Sequence, residues 1–236
     1  TRGMLNDTSL LISGYDYIRK VPGFFDGEFV VQDQSSCLAV KAASIQNGDL
    51  VLDVCAAPGG KTMYAAALAG PDGIVISRDL TERKTELIEE NIDRLGLKNV
   101  TVQVHDARVC DDELVGKADV VIADLPCSGL GIMGRKNDIK YHVSMDSIKE
   151  LAGLQREILE TACRYVRHGG TLVYSTCTID SLENDENAKW FAETHDFSLC
   201  SIDEVIPEHG GEKGFVTLHQ GIDECDGFFI AKFKRR

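Results

Sequence analysis

The sequence lacks the paired spacings from which zinc sites and small disulfide frameworks are built. Its eight cysteines occur singly, without a C-x-x-C pair, and its six histidines include no H-x-x-x-H pair. Structural zinc sites use such pairs, so we expect no metal site. We expect free thiols instead, most of them small buried hydrophobic residues.

Long apolar runs are also missing. No stretch reaches the roughly 18 uncharged residues of a membrane helix, and the N-terminus lacks the pattern of a signal peptide. The composition, 43% hydrophobic and 27% charged, is that of a globular domain. We therefore expect a cytoplasmic protein without a membrane partner. Because the chain begins with Thr1, we also expect it to be a fragment of a longer protein.

Basic residues are outnumbered, with 25 Lys and Arg against 38 Asp and Glu, which gives a formal net charge of -13. Phosphate contacts depend on Lys and Arg, so this charge argues against nucleic-acid binding by charge alone. A local basic face remains possible at Arg135, Lys136 and Lys140, in GRKNDIKY, or at the tail Lys232, Lys234, Arg235 and Arg236. An ordinary solvated surface is the simpler interpretation of both segments.

From residue 50 onward, short β-branched runs alternate with helical patterns, which indicates a parallel sheet covered by helices. The pattern predicts strands at residues 50–55, 73–79, 99–104, 118–124 and 171–176. It predicts helices up to residue 69, from Thr81 to Gly96, from the capping box Ser147-x-x-Glu150 to residues 168–170, and over residues 182–194. Residues 214–218 and 226–234 predict an antiparallel hairpin.

The predicted fold class is therefore α/β, with a mostly parallel seven-stranded sheet and a C-terminal antiparallel hairpin. This is the outline of a Rossmann-like, S-adenosylmethionine-dependent methyltransferase rather than of a dehydrogenase. Residues 1–48 are less regular, with a possible strand at residues 28–32 and a helix near residues 35–43. We expect residues 1–48 to be an N-terminal extension that packs on a core domain of residues 49–236.

A glycine turn, CAAPGGKT at residues 55–62, lies between the first predicted strand and its helix, where doubly wound folds bind ligands. A P-loop needs glycine where Cys55 stands, and a dinucleotide turn needs more than Gly59 and Gly60. S-adenosylmethionine remains as the candidate ligand of this turn. It has no phosphate, and it needs only close backbone approach and carboxylates for its ribose hydroxyls and ammonium group. Four acids at or just after strand ends suit such a cation, although each alone is also an ordinary turn or cap residue: Asp53, Asp79, Asp106 and Asp124.

Two cysteines occupy similar loop positions, Cys127 after the fourth strand and Cys177 after the fifth. An isolated cysteine is more often a buried structural residue, but two beside a cofactor turn favour chemistry. A thiol and S-adenosylmethionine together suit methylation of an electron-poor carbon such as C5 of cytosine. A thiolate that adds to C6 makes C5 nucleophilic, and loss of the C5 proton then expels the thiol.

Four motifs, QDQSS (residues 32–36), CAAPGGKT, ADLPCSGLG and STCTIDSLENDENA, together resemble the Sun/Nop family of RNA cytosine-C5 methyltransferases. The resemblance covers residues 27–234 and is greatest to the bacterial RsmB type, which modifies 16S rRNA. It implies Cys177 as the nucleophile, Cys127 as the thiol that assists product release, and Asp124 near the methionine end and the target cytosine. It implies Asp79 on the cofactor ribose, Asp106 near the adenine, and a cofactor turn of Cys55, Ala56, Ala57, Pro58, Gly59, Gly60 and Lys61.

The resemblance also implies an RNA partner and a helical RNA-binding domain upstream, which this chain does not contain. Such a domain would reconcile the acidic charge with an RNA substrate, and Lys136 and Lys140 would then contact the RNA backbone. Two alternatives stay open. The substrate is transfer RNA, or the chain is a non-catalytic module of the same fold that binds RNA or a partner protein.

Overall fold

The computed structural model describes residue 3, residues 8–207 and residues 209–236. In this part of the chain eight strands form one sheet, and six α-helices flank it. The strands are β1 (Leu50–Asp53), β2 (Ile74–Asp79), β3 (Val100–Val104), β4 (Ala118–Asp124), β5 (Val166–Thr176), β6 (Phe197–Leu199), β7 (Phe215–Leu218) and β8 (Phe228–Arg235). The helices are α1 (Gln34–Ala42), α2 (Gly60–Ala69), α3 (Glu82–Leu95), α4 (Ile139–His142), α5 (Met145–Tyr165) and α6 (Asp185–Thr194).

The strand order is β3-β2-β1-β4-β5-β8-β6, with β7 paired to β8. Strands β1 to β5 are parallel, and β8 runs antiparallel to β5, β6 and β7. The predicted α/β class and the C-terminal hairpin are therefore confirmed. The count of seven strands is wrong by one, because the three-residue β6 (Phe-Ser-Leu) is too short to show a strand pattern.

Three local predictions were wrong for identifiable reasons. Helix α5 ends at Tyr165 rather than at residues 168–170, because the chain from Val166 onward belongs to β5 and pairs with β4. Residues 28–32 form an irregular segment rather than a strand, since none of the eight described strands pairs with them. Helix α5 begins at Met145, because Ser144 rather than Ser147 is its N-cap. Ser144 Oγ accepts from Ser147 N at 3.2 Å, and Ser147 Oγ accepts from Ser144 N at 2.9 Å, which makes a capping box one turn earlier than predicted.

The core has a layer on each face of the sheet, because alternate strand residues point to opposite faces. Val51 and Val120 pack with α1 and α2 on one face, whereas Leu52 and Val121 pack with α5 and α6 on the other. Helix α1 contributes four residues to the first layer, so residues 34–42 are integral to the core. A domain boundary at residue 48 stays a prediction. Within the described residues, no helix is both long and apolar enough to cross a membrane.

Candidate active site

A cavity of about 280 Å³ lies at the carboxyl ends of β1 and β4. Strands β2 and β3 lie beyond β1 on one side, and β5 lies beyond β4 on the other. The connections that leave β1 and β4 therefore run in opposite directions, and a crevice forms between them. Five stretches of sequence meet around it: residues 31–36, residues 53–61, Asp124 with the loop that follows β4, Cys177, and Asp226 with Phe228.

The turn between β1 and α2 forms one wall. Gly59 has φ of 104°, a left-handed conformation that favours glycine, and it caps the N-terminus of α2. The turn is held against β2, because Ala56 N donates to Arg78 O and Ala57 N donates to an Asp79 carboxylate oxygen, both at 2.9 Å. The backbone of this turn is therefore fixed where a ligand can approach it closely.

Asp53, the last residue of β1, is fully buried at the base of the cavity. Its Oδ2 accepts from Thr62 Oγ1 at 2.8 Å, but its Oδ1 is buried without a hydrogen-bond partner in the described part of the chain. Burial raises the pKa of this carboxyl to about 7. A buried acceptor that lacks a donor is costly, so Asp53 is suited to an N–H or cationic group of a ligand.

Lys61 and Asp124 form an ion pair across the cavity, with Lys61 Nζ 2.7 Å from Asp124 Oδ2. Ser175 Oγ donates to the other carboxylate oxygen at 2.7 Å. The ammonium group also donates to Ser36 Oγ at 3.1 Å and lies 5.0 Å from the centre of the Phe228 ring. Both side chains are thus held in one orientation by contacts from four segments.

The two thiols that follow β4 and β5 are neighbours, with Cys127 Sγ 3.2 Å from Cys177 Sγ. With Cys127 as the donor, this hydrogen bond lowers the pKa of Cys177, and the Lys61 ammonium acts in the same direction. The same hydrogen bond raises the pKa of Cys127, and so does burial. Cys177 is therefore the thiol that more readily ionises, and Cys127 the one that keeps its proton.

Three other thiols show the opposite behaviour. Burial raises the pKa of Cys55 strongly, of Cys163 to about 11 and of Cys225 to about 12. Among the described thiols whose pKa is shifted, only Cys177 is lowered. Since the thiolate is the reactive form of cysteine, Cys177 is the candidate for thiol chemistry at this site.

A buried carboxylate, Glu183, joins the loops that carry the two thiols, and the sequence analysis did not identify it. It accepts from Ser128 N at 2.9 Å, from Ser128 Oγ and from Gln155 Nε2 at 2.9 Å. Ser128 Oγ also lies 2.8 Å from Thr178 Oγ1. The residues that directly follow Cys127 and Cys177 are therefore tied together beneath the cavity.

The predicted site residues do not all meet at the cavity. Eight of them line it: Cys55, Ala56, Ala57, Pro58, Gly60, Lys61, Asp124 and Cys177. Cys127 does not line the cavity, but its Sγ lies 3.2 Å from the Sγ of Cys177, which does. Asp79 instead holds the turn and pairs with Lys84, while Asp106 turns away to Arg108; neither they nor Gly59 line the cavity. Lys136 and Lys140 are exposed outside it.

An arginine bridge at the cavity mouth was also missed. Arg135 Nη2 lies 2.6 Å from Asp33 Oδ2, and Arg135 Nε lies 3.0 Å from Asp226 Oδ1. The sequence named Arg135 only as part of a possible basic face and Asp33 only as part of QDQSS, and nothing in it paired the two residues. Asp226 is 193 residues further along the chain, and no spacing rule connects them.

Two solved structures resemble this architecture closely. NSun6 from Pyrococcus horikoshii, solved with SFG, is 31% identical with a TM-score of 0.85, over 94% of this chain and 56% of that one. A methyltransferase homologue from the same organism is 31% identical with a TM-score of 0.80, over 93% of this chain and 72% of that one. The chain thus has the Rossmann-like fold of S-adenosylmethionine-dependent methyltransferases.

The model of the family described as 16S rRNA methyltransferase RsmB/F matches residues 40–234. The probable ribosomal RNA small subunit methyltransferase B of Bacillus subtilis is 39% identical over 222 residues, which are 90% of this chain and 49% of that protein. The chain belongs to the RsmB/F family. It spans about half the length of the curated relatives that it matches.

Proposed function

We propose that this protein transfers a methyl group from S-adenosylmethionine to C5 of a cytosine in 16S rRNA, through a covalent bond between Cys177 and C6 of the base. The observation that carries the proposal is the thiol pair, 3.2 Å apart, in which the pKa of Cys177 is lowered. Membership of the RsmB/F family and the ribosomal RNA named for the Bacillus subtilis relative support the substrate. This substrate also implies a cytoplasmic location.

S-adenosylmethionine fits the residues present and supplies the methyl group when bound. The unpartnered Oδ1 of Asp53 suits its ammonium group, and the fixed turn at residues 55–61 suits close backbone approach. Asp79 is proposed to contact the ribose and Asp106 the adenine. The relative solved with SFG, an S-adenosylmethionine analogue, supports this cofactor.

In the proposed reaction the Cys177 thiolate adds to C6, and the electron pair displaced toward C5 takes up the methyl group. Water then removes the C5 proton, the C5–C6 double bond re-forms and Cys177 leaves as a thiolate. The hydrogen bond from Cys127 stabilises the Cys177 thiolate both before it attacks and when it leaves. Cys127 therefore assists release of the product.

Asp124 is proposed to orient the target base. Its carboxylate, held by Lys61 and Ser175, can accept from the cytosine N4 amino group, whereas uracil presents an acceptor there. The base must leave its stack to reach the cavity. Lys136 and Lys140 are proposed to contact the RNA backbone, and further RNA affinity is proposed to come from sequence upstream of this chain.

The thiol roles are tested with Cys177→Ala and Cys127→Ala, assayed with labelled S-adenosylmethionine and unmodified RNA. We expect Cys177→Ala to abolish methyl transfer, because no thiolate then adds to C6. We expect Cys127→Ala to accumulate a protein–RNA adduct that survives denaturation, because the leaving thiolate has lost its hydrogen bond. Activity in Cys177→Ala, or an adduct in that variant alone, would refute the assignment.

The substrate is tested by offering unmodified 16S rRNA and unmodified transfer RNA to the chain, alone and joined to any upstream sequence that its gene encodes. We expect 5-methylcytosine in 16S rRNA. Transfer to transfer RNA alone would favour the alternative in which transfer RNA is the substrate. Absence of transfer to either RNA would favour the non-catalytic module.

A further inference from the structure

A second cavity, of about 540 Å³, opens beside the catalytic cavity. Cavities of ~300–1,000 Å³ hold small molecules, so this one has room for a nucleotide. None of residues 55–61 of the cofactor turn lines it, although the structure describes them all. The two cavities share one wall, formed by Val31, Gln32, Asp33, Arg135 and Asp226.

Gln32, in the shared wall, has a buried side-chain Nε2 with no hydrogen-bond partner among the described residues. Its carboxamide rests beside Gly60, where an added Cβ would lie 3.5 Å from Nε2. A buried donor without an acceptor is costly, so this group is suited to an acceptor on a ligand. Glutamine carboxamides also pair with the edges of nucleobases.

Arg135 lies between the cavities and contributes to the lining of both. Asp33 and Asp226 fix its Nη2 and Nε, yet 60% of the side chain is exposed. Its guanidinium therefore presents further N–H groups at the mouth, where they can donate to a phosphate oxygen. Because one phosphate joins two successive nucleotides, a cation between two cavities fits that phosphate.

We propose that the second cavity binds the nucleotide next to the target cytosine, in a further inference that rests on the proposed function. When a base is extruded into a catalytic cavity, its neighbours are drawn to the mouth, and contacts to them set the preferred sequence context. Gln32 contacts the neighbouring base at the shared wall, and Gln220 contacts it from the second cavity alone. Arg135 holds the phosphate between the two nucleotides.

The test uses a 16S rRNA fragment that contains the target cytosine, with the base removed from one neighbouring nucleotide at a time. We expect kcat/KM for methylation to fall about tenfold or more for one of the two abasic fragments, because its contacts with the second cavity are lost. In Gln220→Ala we expect the ratio of kcat/KM for the intact fragment to kcat/KM for that abasic fragment to be threefold or less, since the variant has already lost a contact to the base.

Gln46→Ala is the matched control. It truncates another glutamine, whose Nε2 donates to Ser44 O at 2.8 Å before β1, on the opposite edge of the sheet. This variant should keep the full tenfold ratio. Equal kcat/KM for the intact and both abasic fragments would overturn the inference alone, and so would an unchanged ratio in Gln220→Ala. No methylation of the intact fragment would instead overturn the proposed function, on which the inference depends.

Discussion

Asp53 combines complete burial with a carboxylate oxygen that has no donor among the residues that the structure describes, and this combination makes the stability of the protein depend on pH. Its pKa is about 7 in the folded chain against 3.8 ordinarily. Between these values the unfolded chain has released the proton and the folded chain still holds it. The free energy of unfolding therefore falls as pH rises from about 4 to about 7, and no further loss follows above the folded pKa.

Asp53→Asn removes this titration while it keeps an oxygen that can accept from Thr62. We expect the free energy of unfolding of the native protein, relative to Asp53→Asn, to fall by about 2 to 3 kcal/mol between pH 5 and pH 8. Urea unfolding at four pH values measures it. Asp146→Asn, an exposed change in the first turn of α5, should show no such trend. A constant difference between the native protein and Asp53→Asn would contradict the raised pKa.

At the scale of residues, the sequence predicted that the two thiols are neighbours but did not predict the residues that hold them in place. Cys127 and Cys177 follow adjacent parallel strands, so strand order alone predicts that their loops share a cavity. Glu183, which lies on the same loop as Cys177, and Gln155, on helix α5, stabilise those loops. Their role depends on side-chain packing between distant segments, which periodicity does not encode.

At the scale of elements, the loops after β4 and β5 and the turn before β8 are joined through two glycines. Gly131 N donates to Cys177 O at 3.0 Å, and Gly227 N donates to Gly131 O at 2.9 Å. A Cβ on Gly131 would overlap the carbonyl of Gly227, and one on Gly227 would lie 2.6 Å from Gly131 Cα. These contacts involve backbone, which cannot move aside as a flexible side chain can.

We expect Gly131→Ala and Gly227→Ala each to separate these loops and to destabilise the protein by about 1–3 kcal/mol, as overpacking does. The Cys127–Cys177 hydrogen bond should lengthen, so the pKa of Cys177 should rise and its alkylation by iodoacetamide at pH 7 should slow. Gly153→Ala is the control, because an added Cβ there meets nothing within 4 Å. In the interior of α5 it should stabilise by about 0.5–1 kcal/mol. Native alkylation rates in both test variants would show that the glycines do not position Cys177.

The elements themselves were largely predictable where one residue pattern decided them. β4 has the predicted bounds because its β-branched run ends at an acid, and α3 ends at Gly96, whose φ of 65° is the left-handed C-cap that glycine favours. β6 was not predictable, since pairing with β8 rather than local propensity holds its three residues. Residues 28–32 were wrongly predicted as a strand for a related reason, because a strand forms only where another strand pairs with it.

For the whole molecule, the cavity at the carboxyl ends of β1 and β4 assembles only when residues 31–36, 53–61 and 226–228 come together around Asp124 and Cys177. Such a site does not exist in the unfolded chain, so a ligand of the cavity must stabilise the folded state by mass action. At about 100 times its Kd, a ligand adds about 2.7 kcal/mol. For a chain of this size that corresponds to a rise in Tm of roughly 5–10 °C.

We expect this rise with S-adenosylhomocysteine, which keeps the ammonium group proposed to pair with Asp53 and transfers no methyl group. At the same ligand concentration and pH 8, the rise should be several-fold smaller in Asp53→Asn, because a neutral carboxamide attracts the ammonium less than a carboxylate does. Asp146→Asn should match the native protein. Thermal unfolding followed by circular dichroism measures all three. An equal rise in Asp53→Asn would show that Asp53 does not contact the ligand. No rise in the native protein would show that the cavity is not the cofactor site.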